Sequence, residues 1–186
     1  MTVQILRKKF TVGQYHQMIE SGILTDRDRV ELLNGEILEM SPVGRRHAAC
    51  VDRLTELLIV QLVGKAIVRT QNPIRLSDDS EPQPDIAILR RRDDFYATGH
   101  PQPEDIFLVI EVADTTIEFD REIKIPTYAL ENISVVWLVD LNAEIVEVFQ
   151  EPTAQGYRNR QRFQTDQILT IPNFSEIQLG VDQILS

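Results

Sequence analysis

The chain holds one cysteine, Cys50, in 186 residues. An internal disulfide is therefore impossible, and a reducing compartment, the cytoplasm, is the expectation. One cysteine and three scattered histidines, His16, His47 and His100, cannot supply the ligand spacing of a zinc site. No apolar run approaches the roughly 20 residues needed to span a bilayer, so no membrane partner is expected. The first nine residues, Met1 to Lys9, place their charges after a short apolar stretch, which is not the order of a secretory signal. Walker loops, Gly-x-Gly-x-x-Gly turns and nucleophile elbows are missing. Basic charge is short as well: 19 Lys and Arg face 29 Asp and Glu, a formal net charge of -10. That balance excludes a protein that coats nucleic acid through a broad basic surface, while leaving room for a local basic strip. No repeat, low-complexity tract or long linker divides the chain, so residues 1–186 are read as one domain.

What the chain does have is a succession of short, well-punctuated apolar segments. Thr11 caps a helix that runs to about Glu20 and stops near Gly22. Asn34-Gly35 joins two short arms, Arg29–Leu33 and Glu36–Met40, and predicts a hairpin. Val51, Leu54, Leu57, Leu58 and Leu62 recur at helical spacing between Arg46 and Val63, and place Cys50 on a helix as a buried structural thiol. Strands are predicted over 66–70, 71–76, 85–89, 106–112, 134–141, 144–149 and 158–164, with short ones at 168–171 and 177–179. A helix is expected in the second part of 116–132, kinked or delayed by Pro126. This order predicts an α/β fold: a mixed central sheet flanked by helices, preceded by an N-terminal helix and a β-hairpin.

Two acids break the apolar pattern. Asp85 opens Asp-Ile-Ala-Ile, and Glu111 closes the run Ile106 to Ile110. A carboxylate in a buried strand costs several kcal/mol to desolvate unless it is paired, hydrogen-bonded or bound to a cation. Side chains alternate along a strand, so Asp85 shares a face with Ala87 and Leu89, and Glu111 one with Val109 and Phe107. Neighbouring strands would let the two acids converge. Two acids and the Val112 carbonyl then suffice for Mg²⁺ or Mn²⁺. Asp120, Lys124 and Tyr128 fall at i, i+4, i+8 and would line one helical face, from which Lys124 could reach the acids and stay charged beside them.

The residues Val30-Glu31-Leu32-Leu33-Asn34-Gly35-Glu36-Ile37, His47, Pro84-Asp85-Ile86-Ala87, Leu108 to Val112, Asp120, Lys124, Tyr128 and Val136 to Asp140 follow one another in an order and spacing that resembles the Uma2 family. That family is placed in the PD-(D/E)XK restriction-endonuclease-like superfamily. The resemblance implies a nuclease core with a restriction-endonuclease-like fold. In it Asp85 and Glu111 ligate Mg²⁺ or Mn²⁺, and a lysine assists hydrolysis of nucleic acid, DNA in the first instance. It also implies a homodimer and adds Glu31 as a further acid. The superfamily pattern puts lysine two positions after the second acid. Here that position is Ala113, which leaves Lys124 on the following helix to supply the charge.

Simpler roles stand beside these. Asp85 could be a strand-end acid satisfied by amides, Lys124 an exposed helical lysine, and Glu31 a surface charge. His47 reads as a helix cap or a peripheral site residue, while His16 and His100 lack context. Tyr128 and Trp137 read as packing. Arg158, Arg160 and Arg162 alternate on one strand, either as a phosphate-tracking strip or as a solvated face. Three functions follow: a metal-dependent endonuclease, a non-catalytic nucleic-acid-binding or regulatory protein on the same fold, or a structural subunit in which Asp85, Glu111 and Lys124 do not meet.

Overall fold

The computed structural model describes residues 7–25 and 27–186, so most of the Met1 to Lys9 stretch, read above as lacking the order of a secretory signal, lies outside the described residues. The chain runs through helix α1 (Val12–Glu20), strands β1 (Val30–Leu33) and β2 (Glu36–Glu39), helix α2 (Arg45–Leu62), and strands β3 (Ala66–Thr70), β4 (Ile86–Arg90) and β5 (Ile106–Ala113). A composite helix follows: a first turn α3 (Ile117–Phe119), a π-helical turn (Asp120–Lys124) and α4 (Ile125–Leu130). Then come β6 (Val135–Asp140), β7 (Ile145–Thr153), β8 (Gly156–Phe163), β9 (Ile168–Ile171), β10 (Phe174–Gly180) and a last helix α5 (Val181–Leu185).

The most apolar segments take the middle of a six-stranded sheet ordered β3-β4-β5-β6-β7-β8. Every neighbour pair is antiparallel except β5 and β6, which run parallel with Glu111 opposite Leu138. A parallel pair requires a crossover connection, and the composite helix is that crossover. One sheet face packs Ile86, Ile88, Leu108, Ile110, Val112 and Trp137 against the apolar stripe of α2 and against β9, β10 and α5. The other face packs Ala87, Val109, Val136 and Leu138 under Ile125 and Tyr128 of α4. Each central strand is thus covered on both sides, which is why β4 to β6 read as continuous apolar runs.

The N-terminal hairpin is a separate two-stranded sheet. Asn34 and Gly35 both take positive φ, 50° and 75°, the geometry of a type I′ turn. The hairpin is clamped on two sides. Leu32 pairs with Glu81 as an isolated bridge, and Asn34 Nδ2 donates to Thr127 Oγ1 on α4 at 2.9 Å. Thr11 caps α1 in a reciprocal box with Gln14, and Val12 and Tyr15 pack on Leu32.

Four expectations are corrected. Residues 71–76 form no strand: Gln71 takes a left-handed backbone (φ 48°) and turns the chain out of the sheet. Asp85 precedes β4 rather than opening it. Glu111 shares its face with Val109 but not with Phe107, because Leu108 pairs with Ile88 and Ile106 with Leu89, leaving Phe107 as a bulge turned to the α2 side. Arg158, Arg160 and Arg162 do not form one row. Glu151 (φ 59°) disturbs the pairing near Arg158, and Tyr157 joins the same core as Phe149.

Candidate active site

Glu111 arrives on the α4 side of β5, only 2% exposed, where the composite helix covers the sheet. Two side chains from that helix meet its Oε1: Lys124 Nζ donates at 3.2 Å, and the Tyr128 hydroxyl donates as well. Lys124 also pairs with Glu31 Oε1 at 3.4 Å, so one ammonium lies between two buried acids. The hairpin clamps at Glu81 and Thr127 deliver Glu31 to this point, and the Gln83 N–H fixes its other oxygen at 3.0 Å. Asp85 is held differently. Val112 N–H donates to Asp85 Oδ2 at 2.8 Å, and His47 Nε2 lies 3.0 and 3.1 Å from its two oxygens. A strand residue points its N–H and C=O to the same side, so the Val112 carbonyl is also directed to the Asp85 edge. Asp120, largely buried, accepts from Thr116 Oγ1 at 2.6 Å.

Asp120, Lys124 and Tyr128 face inward at spacings of four residues, and the first two bound a π turn. Ile125 N–H bonds to the Asp120 carbonyl five residues back, and Pro126 follows at the start of α4. Proline has no N–H to offer and crowds the carbonyl four residues earlier; a widened turn just before it relieves both constraints. Such turns recur at functional sites.

Charge balance in this pocket is unusual. Burial pushes the Glu111 carboxyl up to about 8; Lys124 opposes the shift, while Asp85, Asp120 and Glu31 add to it. Burial alone would lower the Lys124 pKa, yet Glu111 and Glu31 outweigh it and hold the ammonium charged. Asp120 is raised by burial, with Lys124 pulling the other way. His47 is raised chiefly by its hydrogen bond to Asp85, against its own desolvation. One ammonium and one imidazole thus stand among four carboxyl groups, Glu31, Asp85, Glu111 and Asp120.

Glu31, Asp85, Glu111, Asp120, Lys124 and His47 line one cleft of about 1060 Å³. The sequence-derived set Asp85, Glu111, Lys124 and Glu31 is therefore brought together, with the Val112 backbone at its edge. Sequence reasoning undervalued His47, which binds Asp85 rather than solvent; its position in the family-like pattern was the signal. His16 also has a context, a 2.7 Å contact with buried Glu81, away from this constellation. Trp137 is core, 1% exposed.

Carboxyl and carbonyl oxygens are hard donors of the kind that fit Mg²⁺ or Mn²⁺. Among the described residues no three His, Cys, Asp or Glu side chains stand close enough to hold an ion alone. The residues that could hold one are Asp85, Glu111 and the Val112 carbonyl, a small set of the kind Mg²⁺ accepts because it keeps several of its waters.

A model described as "Uma2: Putative restriction endonuclease" matches residues 12–182. The chain belongs to the Uma2 family. No curated protein matches it. Its fold is that of a crystal structure from Anabaena variabilis ATCC 29413, described as "a putative nuclease belonging to DUF820". The TM-score is 0.72 and the identity 14%, over 95% of this chain and 97% of that one. The Uma2 assignment and this likeness agree with the restriction-endonuclease-like fold expected from the sequence.

Proposed function

We propose that this Uma2 chain is a metal-dependent endonuclease that hydrolyses phosphodiester bonds of DNA, acting in the cytoplasm as a homodimer. The observation that carries the reading is Lys124: a buried ammonium held by Glu111 and Glu31 in an open cleft shared with Asp85. Asp85, Glu111 and the Val112 carbonyl would hold Mg²⁺ or Mn²⁺. When bound, the ion supplies positive charge against a phosphoryl group and makes an attacking water more acidic.

The protein's own groups do the remaining work. Val112 N–H and His47 fix the rotamer of Asp85. Tyr128 and Lys124 do the same for Glu111 and leave its Oε2 free of hydrogen bonds among the described residues. Of its three donors Lys124 gives one to Glu111, and it forms an ion pair with Glu31. A remaining donor is available to orient water or to stabilise charge that develops on a phosphate oxygen. Held charged, Lys124 acts electrostatically and not as a base.

One observation favours the alternative, a non-catalytic nucleic-acid-binding or regulatory protein: the place of the superfamily lysine is taken by Ala113, which is fully buried in the core. The meeting of Lys124 with Glu111 beside Asp85 weighs against a purely structural subunit. The deciding experiment is cleavage of plasmid and single-stranded DNA with Mg²⁺ or Mn²⁺ by wild type, Asp85→Asn, Glu111→Gln and Lys124→Met. Endonuclease function predicts losses of at least about 100-fold in each variant. Equal cleavage by all four proteins would remove it. A metal-dependent rise in melting temperature for wild type, abolished by Asp85→Asn, checks the ion separately.

A further inference from the structure

Beside the cleft, on the same sheet face, three guanidinium groups converge on one acid. Glu147 of β7 is completely buried at its side chain, yet it lies under the edge strand. Its Oε1 accepts from Arg160 Nη2 at 2.6 Å and from Arg162 Nε at 3.0 Å, both from β8. Its Oε2 accepts from Arg121 Nε at 3.3 Å, and Arg121 Nη2 lies 3.6 Å from Asp140. Arg160 also lies over the Phe149 ring, 5.4 Å from its centroid. Three cations on two acids leave a positive surplus in a chain whose net charge is -10.

The ledge is continuous with the candidate active site. Arg121 follows Asp120 on the π turn, and Asp140 pairs with Ala113, two residues beyond Glu111. The Arg162 side chain is 63% exposed and that of Arg160 39%, so their outer N–H groups reach solvent while Glu147 fixes the inner ones. Both close on the single Glu147 Oε1, so their guanidinium groups form one concentrated cationic patch at the strand surface, of a size to hold one phosphate. Guanidinium groups offer a donor fork that matches phosphate oxygens.

We propose that Arg121, Arg160 and Arg162, organised by Glu147, form a phosphate-binding ledge for the backbone of duplex DNA, delivering it to the cleft. The proposal rests on the nuclease reading of that cleft. It gives an acidic protein a local, sequence-independent hold on its substrate: the backbone contacts set position and carry no base information.

The test is fluorescence anisotropy of wild type and Arg162→Gln with a labelled 20-base-pair DNA duplex across a series of salt concentrations. Arg162→Gln leaves Arg121 and Arg160 on Glu147, and its melting temperature verifies the fold. The expected result is a several-fold weaker Kd at low salt and a log Kd against log salt slope smaller by about 0.9, one phosphate contact. Arg162→Lys keeps the charge and restores most of the slope. Identical slopes in wild type and Arg162→Gln would overturn the ledge, as would the absence of duplex binding by wild type. Failure is separable from that of the nuclease reading, which is decided by metal-dependent cleavage: a protein that cuts DNA with an unchanged slope lacks the ledge, and one that binds through Arg162 without cutting lacks the hydrolase.

Discussion

At the scale of single residues, the buried triad of Glu31, Lys124 and Glu111 is the costliest part of the molecule. Removing one partner of a buried ion pair strands the other charge. Lys124→Met, which leaves two acids facing each other, is expected to lose about 3–5 kcal/mol in urea unfolding at pH 8. Glu111→Gln keeps Lys124 paired with Glu31 and should lose less. The pH dependence has a definite sign. The Glu111 carboxyl is raised from an ordinary 4.5 to about 8 in the fold. Between those values the folded state binds more protons than the unfolded state, so stability falls as pH rises from about 4.5 to about 8. Wild type should show this decline in urea midpoints, and Glu111→Gln should flatten it. A decline of equal steepness in both proteins would place the titrating group elsewhere.

At the scale of elements, the π turn matters most. Asp120, Lys124 and Tyr128 look inward at spacings of four, and the widened turn holds them in a narrower arc than the roughly 80° they would cover on an ordinary helix. Deleting Glu122 should convert the segment to an ordinary helix, with Asp120 three positions before Lys124 instead of four and turned by a few tens of degrees, roughly, relative to it. We expect unchanged helical content by circular dichroism, a folded protein, and loss of metal-dependent cleavage. Full activity in the deletion would show that the site does not need the widened turn. The same segment marks the limit of legibility. Sequence periodicity located Lys124 and Tyr128 on a helix, since Pro126 and the apolar spacing are local signals. A widened turn has no compositional mark. The hairpin was fully legible, because only Asn-Gly accepts two consecutive positive φ angles so readily. The bulge at Phe107 was not, because an apolar residue satisfies either sheet face. The short helix α5 was missed for want of a cap signal, and residues 71–76 were overread as a strand because β-formers there serve a bend.

At the scale of the whole molecule, the acids were visible one by one because each interrupts an apolar run. Their partners were harder to see. His47 and Asp85 come together only through the packing of α2 on the sheet, and Arg121 and Glu147 through the crossover. Such contacts are set by topology. Cys50 reports on that topology as a unit. Its thiol is pushed up to about 11, mainly by burial in the α2 core; Arg53 opposes the shift slightly and Asp85 adds to it. A thiol so protonated and enclosed should react with a disulfide reagent at pH 8 only through global opening. Labelling should therefore slow in step with added stability. Rapid labelling under native conditions would show that α2 opens on its own.

The lone parallel pairing between β5 and β6 has a consequence for the newborn chain. Glu31, Asp85 and Glu111 leave the ribosome before Lys124, and the crossover carrying Lys124 can dock only after β6 has been made and has slotted in beside β5. A half-synthesised polypeptide therefore holds its acids without their ammonium counterpart. The candidate site is therefore completed late in translation, when the crossover closes over Glu111.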